Sequence, residues 1–476
     1  MERRKFLKYN SMALGGMLFA PYVNSTSVFS NSGFVSNRPS VSDRKFISPV
    51  IEKTIKLVQE KITNPKLSEM FGNCFPNTLD TTIDFSMKDG NPDTFVITGD
   101  IKAMWLRDSA AQVWPYLKFV NEDKKLDLLI QGVLNRQAKC IKIDPYANAF
   151  NKEATGSQWA SDKTEMKPEL YERKWEIDSL CYPVRLLYQY WKTTNKNICF
   201  TEEWHESLKI IVETFKKQQR KRDRGDYSFM RKTEKATDTL SGNGYGNPVY
   251  PNGMIVSSFR PSDDATVFPF LIPSNYFASK TLMRIQEIAS DVYHDQSLSR
   301  KARLFAGSVS LGLRNYARAE KPDFGKILAY EVDGFGNKLF MDDANVPSLL
   351  SLPYLDLMQK NDPLYINTRK FILSEQNPWF FHGRDFEGNG SPHTGVGKIE
   401  PISIIMRALT STDEKEIKIC VDMLIKSQSD TGFMHESFSV DNPSNYSRSW
   451  FAWANSLFGE LILNIADNHP LLLKTI

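Results

Sequence analysis

Apolar residues return at three- and four-residue spacing through most of this chain, and that period constrains the fold more than any other feature. Leu180, Val184, Leu187, Tyr188 and Trp191 share one face of a 3.6-residue helix, as do Leu208, Ile211, Val212 and Phe215. Ile417, Cys420, Val421 and Leu424 repeat the stripe. So do Trp450, Trp453, Ala454, Leu457, Phe458, Leu461, Ile462 and Ile465. The spacing predicts helices over 50–62, 66–82, 107–120, 122–142, 179–194, 201–220, 274–292 and 296–318, and again over 345–359, 363–375, 400–410, 413–427 and 449–466. Most fall in pairs joined by short breaks. Long polar or glycine-rich stretches at 143–175, 222–260, 319–345 and 376–399 separate the pairs. Loops of that length in a compact chain are functional or disordered. Gathered at one end of a toroid of helices, they build a deep cleft. A two-stranded element is expected at 327–341, around Asp-Gly and Gly-Asn turn signals.

The first residues read differently. Arg3, Arg4, Lys5 and Lys8 precede a modest apolar stretch at 9–23, too short and too rich in Gly and Ser to span a bilayer. The pattern is that of a twin-arginine export signal over 1–30, followed by a Ser/Asn-rich linker at 31–44, and it predicts a periplasmic protein without a membrane anchor. Removing residues 1–30 lowers the formal charge from +4 to near balance, which leaves no electrostatic footprint for nucleic acid. Five scattered cysteines without CxxC spacing give neither a zinc site nor a disulfide framework, and buried thiols are expected.

Charged residues gather in a few segments. Arg107 and Asp108 stand between Trp105 and an apolar run; buried charges must be paired, so they form either a structural ion pair at a helix start or the wall of a polar cavity. SSFRPSDDATVF holds Arg260 and the adjacent carboxylates Asp263 and Asp264. Two neighbouring carboxylates repel when charged, so one of them, if desolvated, gains the raised pKa a general acid needs; the alternative is a helix cap. In DTGFMHESF, His435 and Glu436 place an imidazole beside a candidate base, unless Glu436 only pairs with Arg448. PWFFHGRDFEGNGSPHTGVG sets His382 and His393 on a loop with five glycines, near Trp379. Polar donors beside an aromatic ring suit sugar hydroxyls and the apolar face of a sugar. Asp342 and Asp343 precede another candidate helix and read as capping. There is no HExxH, EF-hand pattern, G-x-S-x-G elbow or phosphate loop, so no metal or cofactor is expected. Carboxylates, arginines and aromatics on loops around a helical toroid fit acid/base cleavage of a glycosidic bond.

The motifs GDIKAMWLRDSAAQVWPYL, WEIDSLCYP, FRPSDDA, LIPSN, MDDANVPSLL, HGRDFEGNGSPHTG, MHESF and WFAWANSLFGE, in this order, resemble glycoside hydrolase family 125. The resemblance runs from about residue 45 to the C-terminus. It implies an all-α (α/α)6 barrel over 45–476 and a metal-independent exo-α-1,6-mannosidase acting with inversion on mannose-containing oligosaccharides. It places the acid on Asp263, with Asp264 as the alternative, and the base on Glu436. Arg107, Asp108, His382 and His393 would grip the terminal sugar, with Trp105, Arg260 and Asp343 as further candidates. Inversion requires the two carboxyls to stand about 6.5–9.5 Å apart, with room for a water. Two other readings use the same toroid: a non-catalytic glycan-binding protein, and a polysaccharide lyase.

Overall fold

The computed structural model describes residues 36–476, so the expected export signal lies outside the described residues, as do residues 31–35 of the expected linker. Residues 36–44 are not a free linker. Arg38 reaches back to the buried Asp80 at 2.7 Å and to Glu52, tying this segment to the helical body. The chain is mostly helical, with small two- and three-stranded sheets in the connections.

Twelve α-helices occur among the described residues. They are α1 (Pro49–Gln59), α2 (Pro65–Cys74), α3 (Leu106–Val113), α4 (Lys124–Ile143), α5 (Ile177–Thr194), α6 (Glu202–Lys217), α7 (Ile272–Asp291), α8 (Gln296–Tyr316), α9 (Pro363–Ile372), α10 (Pro401–Thr410), α11 (Glu414–Ser427) and α12 (Ala452–Asn468). In space, α10, α12, α3, α5 and α7 pack side by side in that succession except between α7 and α10, and the other helices flank them. Every residue of α3 is buried, and α10 and α12 are apolar almost all round, as helices packed on all sides must be. The core between them is aromatic: Tyr182 meets the edge of Phe277 at 5.2 Å and of Trp453 at 6.5 Å. All five cysteines are buried free thiols.

Helix starts divide the molecule in two. In α1, α2, α4, α6, α8, α9 and α11 the preceding Ser48, Asn64, Asp123, Thr201, Asp295, Asp362 or Asp413 accepts first-turn backbone N–H groups. In α3, α5, α7, α10 and α12 the residues at that position are Trp105, Glu176, Leu271, Glu400 and Phe451, and none caps its own helix. These five are the helices packed side by side. Four of their N-termini, those of α3, α5, α10 and α12, carry or adjoin residues of the cleft described below.

Two expectations change. Residues 345–359 form successive turns instead of a helix. Pro347 and Pro353 supply no backbone donor, and the Asp342 carboxylate takes the N–H groups of Leu349 (2.8 Å) and Leu350 (3.0 Å) that a helix would use internally. The predicted helix at 66–82 is interrupted after Cys74 and resumes as a π-helical turn at Thr78–Thr82, after which an antiparallel hairpin pairs Ile83–Lys88 with Asn91–Val96. Its turn is Asp89-Gly90, both with positive φ, the type I′ geometry that Asp-Gly favours. The expected element at 327–341 is present: Glu331–Val332 pairs with Lys338–Leu339, and Phe270–Leu271 adds a third strand.

Asp123 caps α4 through the N–H groups of Lys125 (2.9 Å) and Leu126 (3.2 Å), and also accepts the hydroxyl of Ser48 at the start of α1. Asp123→Ala is expected to lower the free energy of unfolding by about 1–2 kcal/mol in denaturant titration. Catalytic rate should be unchanged, because α4 flanks the site without lining it.

Candidate active site

Met104–Trp105 pairs with Ala149–Phe150, and the Leu106 N–H donates to the Asn148 carbonyl at 3.0 Å. That strand-to-helix junction puts Arg107 and Asp108 in the first turn of α3, both buried. Arg107 is the centre of a buried charge cluster. Its Nη1 donates to Glu176 Oε2 at 2.7 Å and Asp178 Oδ2 at 3.0 Å. Its Nε lies 3.4 Å from Asp108 Oδ1 and its Nη2 3.6 Å from Asp263 Oδ1, while Trp453 lies beneath the guanidinium at 5.6 Å. Asp108 also accepts the Thr98 hydroxyl at 2.6 Å. Burial pushes the Asp108 carboxyl up, against the pull of Arg107 and Thr98.

Asp263 comes from the arginine–proline turn. The Arg260 N–H donates to the Asp264 carbonyl (2.8 Å), and the Asp263 N–H donates to the Arg260 carbonyl (2.9 Å). Closing this turn needs a left-handed residue, and Asp263 takes it at φ 64°, a conformation Asp tolerates better than bulkier residues. The two adjacent aspartates therefore part. Asp263 lines the cavity. Asp264 is buried behind it, 3.6 Å from Lys235 and 3.9 Å from His393, which themselves line the cavity mouth. Asn148 donates to Asp263 Oδ1 at 3.2 Å, and Lys174 donates to its backbone carbonyl at 2.9 Å and to Asp238 at 2.6 Å.

Also lining the cavity, Glu436 accepts the Ser447 hydroxyl at 3.0 Å and Arg448 Nη1 at 3.3 Å. Arg448 is fixed in turn by the Thr98 carbonyl and by Asp100. His435 points elsewhere: its ring stacks on Tyr446 at 3.8 Å, and its Nδ1 lies 3.1 Å from the Arg448 carbonyl. Burial holds this imidazole below its ordinary pKa, so it props the Arg448 segment as a neutral ring instead of activating water. Beside Glu436, the buried Glu400 at the start of α10 accepts Asn345 Nδ2 (2.9 Å), Thr394 Oγ1 (3.0 Å) and the Ser391 hydroxyl. Burial, with the charges of Asp343 and Glu436, pushes its carboxyl up to about 8.

These residues enclose a cavity of about 310 Å³, at the small end of the range of roughly 300–1,000 Å³ typical of ligand sites. A larger groove, about 1080 Å³, lies over α9 and α10, where Arg369 and Arg407 are both paired with Glu416. Of the residues expected from the sequence, Asp263, Glu436, Arg107, Asp108, Trp105 and His393 line the smaller cavity together. The other four do not. Arg260 is buried against Glu331 at 2.6 Å, and Asp343 accepts the Ser262 hydroxyl at 2.8 Å, so both brace the turn that carries Asp263. Asp264 lies behind the wall. His382, 64% exposed, pairs with Glu387 on a surface hairpin. Sequence reasoning assigned no role to Glu176, Asp178, Lys174, Glu400 or Trp453. The signal for the first three was present: K-W-E-I-D packs three charges against the start of an apolar helix, the same oddity that singled out Arg107 and Asp108.

Residues 64–463 match the family model of the metal-independent alpha-mannosidases, GH125. The chain belongs to that family. A GH125 alpha-mannosidase of Streptococcus pneumoniae, solved as a non-productive complex with alpha-1,6-mannobiose, is 40% identical, with a TM-score of 0.86 over 89% of this chain and all of that one. The Meiotically up-regulated gene 157 protein of Schizosaccharomyces pombe is 41% identical over 456 residues, 92% of this chain and 89% of that protein. A bacterial glucoamylase complexed with acarbose shares the helical fold at a TM-score of 0.53 and 13% identity, over 89% of this chain and 59% of its own.

In this GH125 chain, burial would lower the pKa of His393, whose side chain is 37% exposed, but Asp264 and Asp263 overcome that and raise it to about 9. A raised histidine pKa stabilises the fold fully below its unfolded value near 6.5 and ceases to do so as pH rises through about 9. In denaturant titrations, wild type is therefore expected to be more stable than His393→Asn at pH 6.5, with the gap narrowing as pH rises from 6.5 towards 9 and small above it. A gap independent of pH would contradict the pairing.

Proposed function

We propose that this chain is an exo-acting α-1,6-mannosidase that hydrolyses with inversion on an (α/α)6 barrel. Asp263 protonates the leaving O6 while Glu436 takes a proton from the water attacking the anomeric carbon. The observation that carries this reading is that Asp263 and Glu436, 173 positions apart in sequence, both line one small cavity. The pneumococcal relative's complex with alpha-1,6-mannobiose supports the linkage. The cavity's size supports an exo mode, since it has room for a terminal sugar more than for an internal stretch of polymer. Arg107 and Asp108 on the floor, His393 at the mouth and Arg448 beside the base present charged donors and acceptors to sugar hydroxyls, and Trp105 offers an apolar face. The twin-arginine pattern at the start of the chain supports delivery to the periplasm.

With α-1,6-mannobiose, proton NMR of the first-formed product is expected to show β-mannose, and α-1,2- and α-1,3-linked mannobiose should resist cleavage. Initial release of α-mannose would contradict inversion, and preferred cleavage of another linkage would contradict the substrate assignment. Asp263→Asn and Glu436→Gln should each reduce kcat by roughly 10²–10⁴-fold with an unchanged circular dichroism spectrum. Near-normal turnover in either variant would remove that residue from the mechanism.

A further inference from the structure

Asp263, taken alone, is poorly placed to be an acid. Lys174, Arg107 and His393 all bring positive charge to it. Burial pushes its carboxyl up, yet the neighbouring Glu176 carboxyl and those three cations outweigh burial and hold it below the usual carboxylate range. A group in that environment is ionised at neutral pH, whereas protonating a leaving alkoxide requires a proton.

The missing proton has a place in the structure. Glu176 is fully buried, and it shares one guanidinium with Asp263: Arg107 Nη1 lies 2.7 Å from Glu176 Oε2 and Nη2 lies 3.6 Å from Asp263 Oδ1. Two carboxyls gathered on one buried guanidinium repel each other when both are ionised, and a single proton shared between them removes that repulsion. Arg107 Nη1 and the Ser179 hydroxyl (2.9 Å) both donate to Glu176 Oε2, while Oε1 has no donor. The surrounding charge also calls for a proton: Asp108, Glu176, Asp178 and Asp263 all converge on Arg107. Lys174, which also acts on Asp263, is shared with Glu172 and Asp238. Asp178 also belongs to this cluster, but Arg107 donates directly to it and it meets Asp263 through charge alone. Burial and the Asp263 charge drive the Glu176 carboxyl far up, against Arg107.

The geometry points to Glu176 and Asp263 as a carboxyl pair holding one proton, with Glu176 the positioning residue that supplies it to Asp263 and so to the leaving oxygen. This rests on the reading of Asp263 as the acid. In the free enzyme the proton sits on Glu176 and is hydrogen-bonded to the Asp263 carboxylate. The Glu176 O–H proton passes to the Asp263 carboxylate, and Asp263 delivers that same proton to O6 as the C1–O6 bond breaks and its electron pair goes to O6. Water gives one proton to Glu436 and its oxygen to C1. The Glu176 carboxylate left behind is held by Arg107 Nη1 at 2.7 Å. Afterwards Glu436 releases its proton to solvent and the pair regains one, so the cycle closes.

Glu176→Gln keeps the side-chain shape and a hydrogen-bond donor toward Asp263 but has no proton to pass on. On α-1,6-mannobiose it is expected to lose roughly 10²–10⁴-fold in kcat at pH 7. The alkaline limb of its kcat/KM profile should move acidward by at least about one pH unit, because Asp263 then titrates alone among cations. On a 2,4-dinitrophenyl α-mannoside, whose leaving group needs no proton, both Glu176→Gln and Asp263→Asn should recover most of the wild-type rate. If Asp263→Asn recovers but Glu176→Gln keeps the wild-type alkaline limb, or loses both substrates equally, the shared proton is overturned and the acid assignment survives. If Asp263→Asn itself does not recover, the acid assignment fails. Should Glu176→Gln not fold, neutron diffraction from wild-type crystals at neutral pD decides the question: a deuteron between the two carboxyls supports the pair, and its absence overturns it.

Discussion

The site is organised around the guanidinium of Arg107. Burying one such cation costs several kcal/mol unless good geometry repays it. Here Nη1 bridges two carboxylates on the start of α5, Nε approaches Asp108 on its own helix, Nη2 approaches the arginine–proline turn, and Trp453 of α12 covers the face. Three helices and one loop thus meet at a single planar group, and removing it would leave several buried carboxylates without a counter-charge. The same group fixes where the cavity floor lies relative to Asp263. An uncharged contact of the same size would hold the packing without setting the protonation of the acids around it.

The division of helix caps follows from the same constraint. A helix that supplies its own N-cap satisfies its first N–H groups with a side chain and presents no free dipole end. The flanking helices do this with Ser, Thr, Asn or Asp. The helices packed side by side do not, and at four of their starts stand residues of the site or its buried support: Trp105, Glu176, Glu400 and Phe451. The partial positive charge of those N-termini favours carboxylates nearby. This is one reason the fold tolerates so many acids in a small volume.

Much of this was legible in the sequence, because a 3.6-residue stripe is a local property and survives any tertiary arrangement. The stripe failed where side chains competed for backbone donors: Asp342 captures the N–H groups of Leu349 and Leu350, and the apolar run at 345–359 becomes turns. It was silent on the hairpin at 83–96, although Asp89-Gly90 announced the turn. At the site, the resemblance and the clustered charges together found six residues that share the cavity. They failed for His382, whose glycine-rich loop folds into a surface hairpin. Asp263 and Asp264 were inseparable in sequence, since only the left-handed backbone at Asp263 sends the two side chains apart. Glu176 went unassigned because its importance lies in what Arg107 and Asp263 do to it, and both reach it only through the fold.

The account stands on one terminal mannose held between the Arg107-anchored acid and Glu436. A crystal structure with an S-linked α-1,6-mannobiose, which the enzyme does not cleave, tests this most directly. The account predicts the non-reducing sugar inside the cavity, the linking sulfur beside Asp263, and a water between Glu436 and the anomeric carbon, with the carboxyls about 6.5–9.5 Å apart. Carboxyls only about 5 Å apart, or a sugar bound away from Arg107, would contradict it.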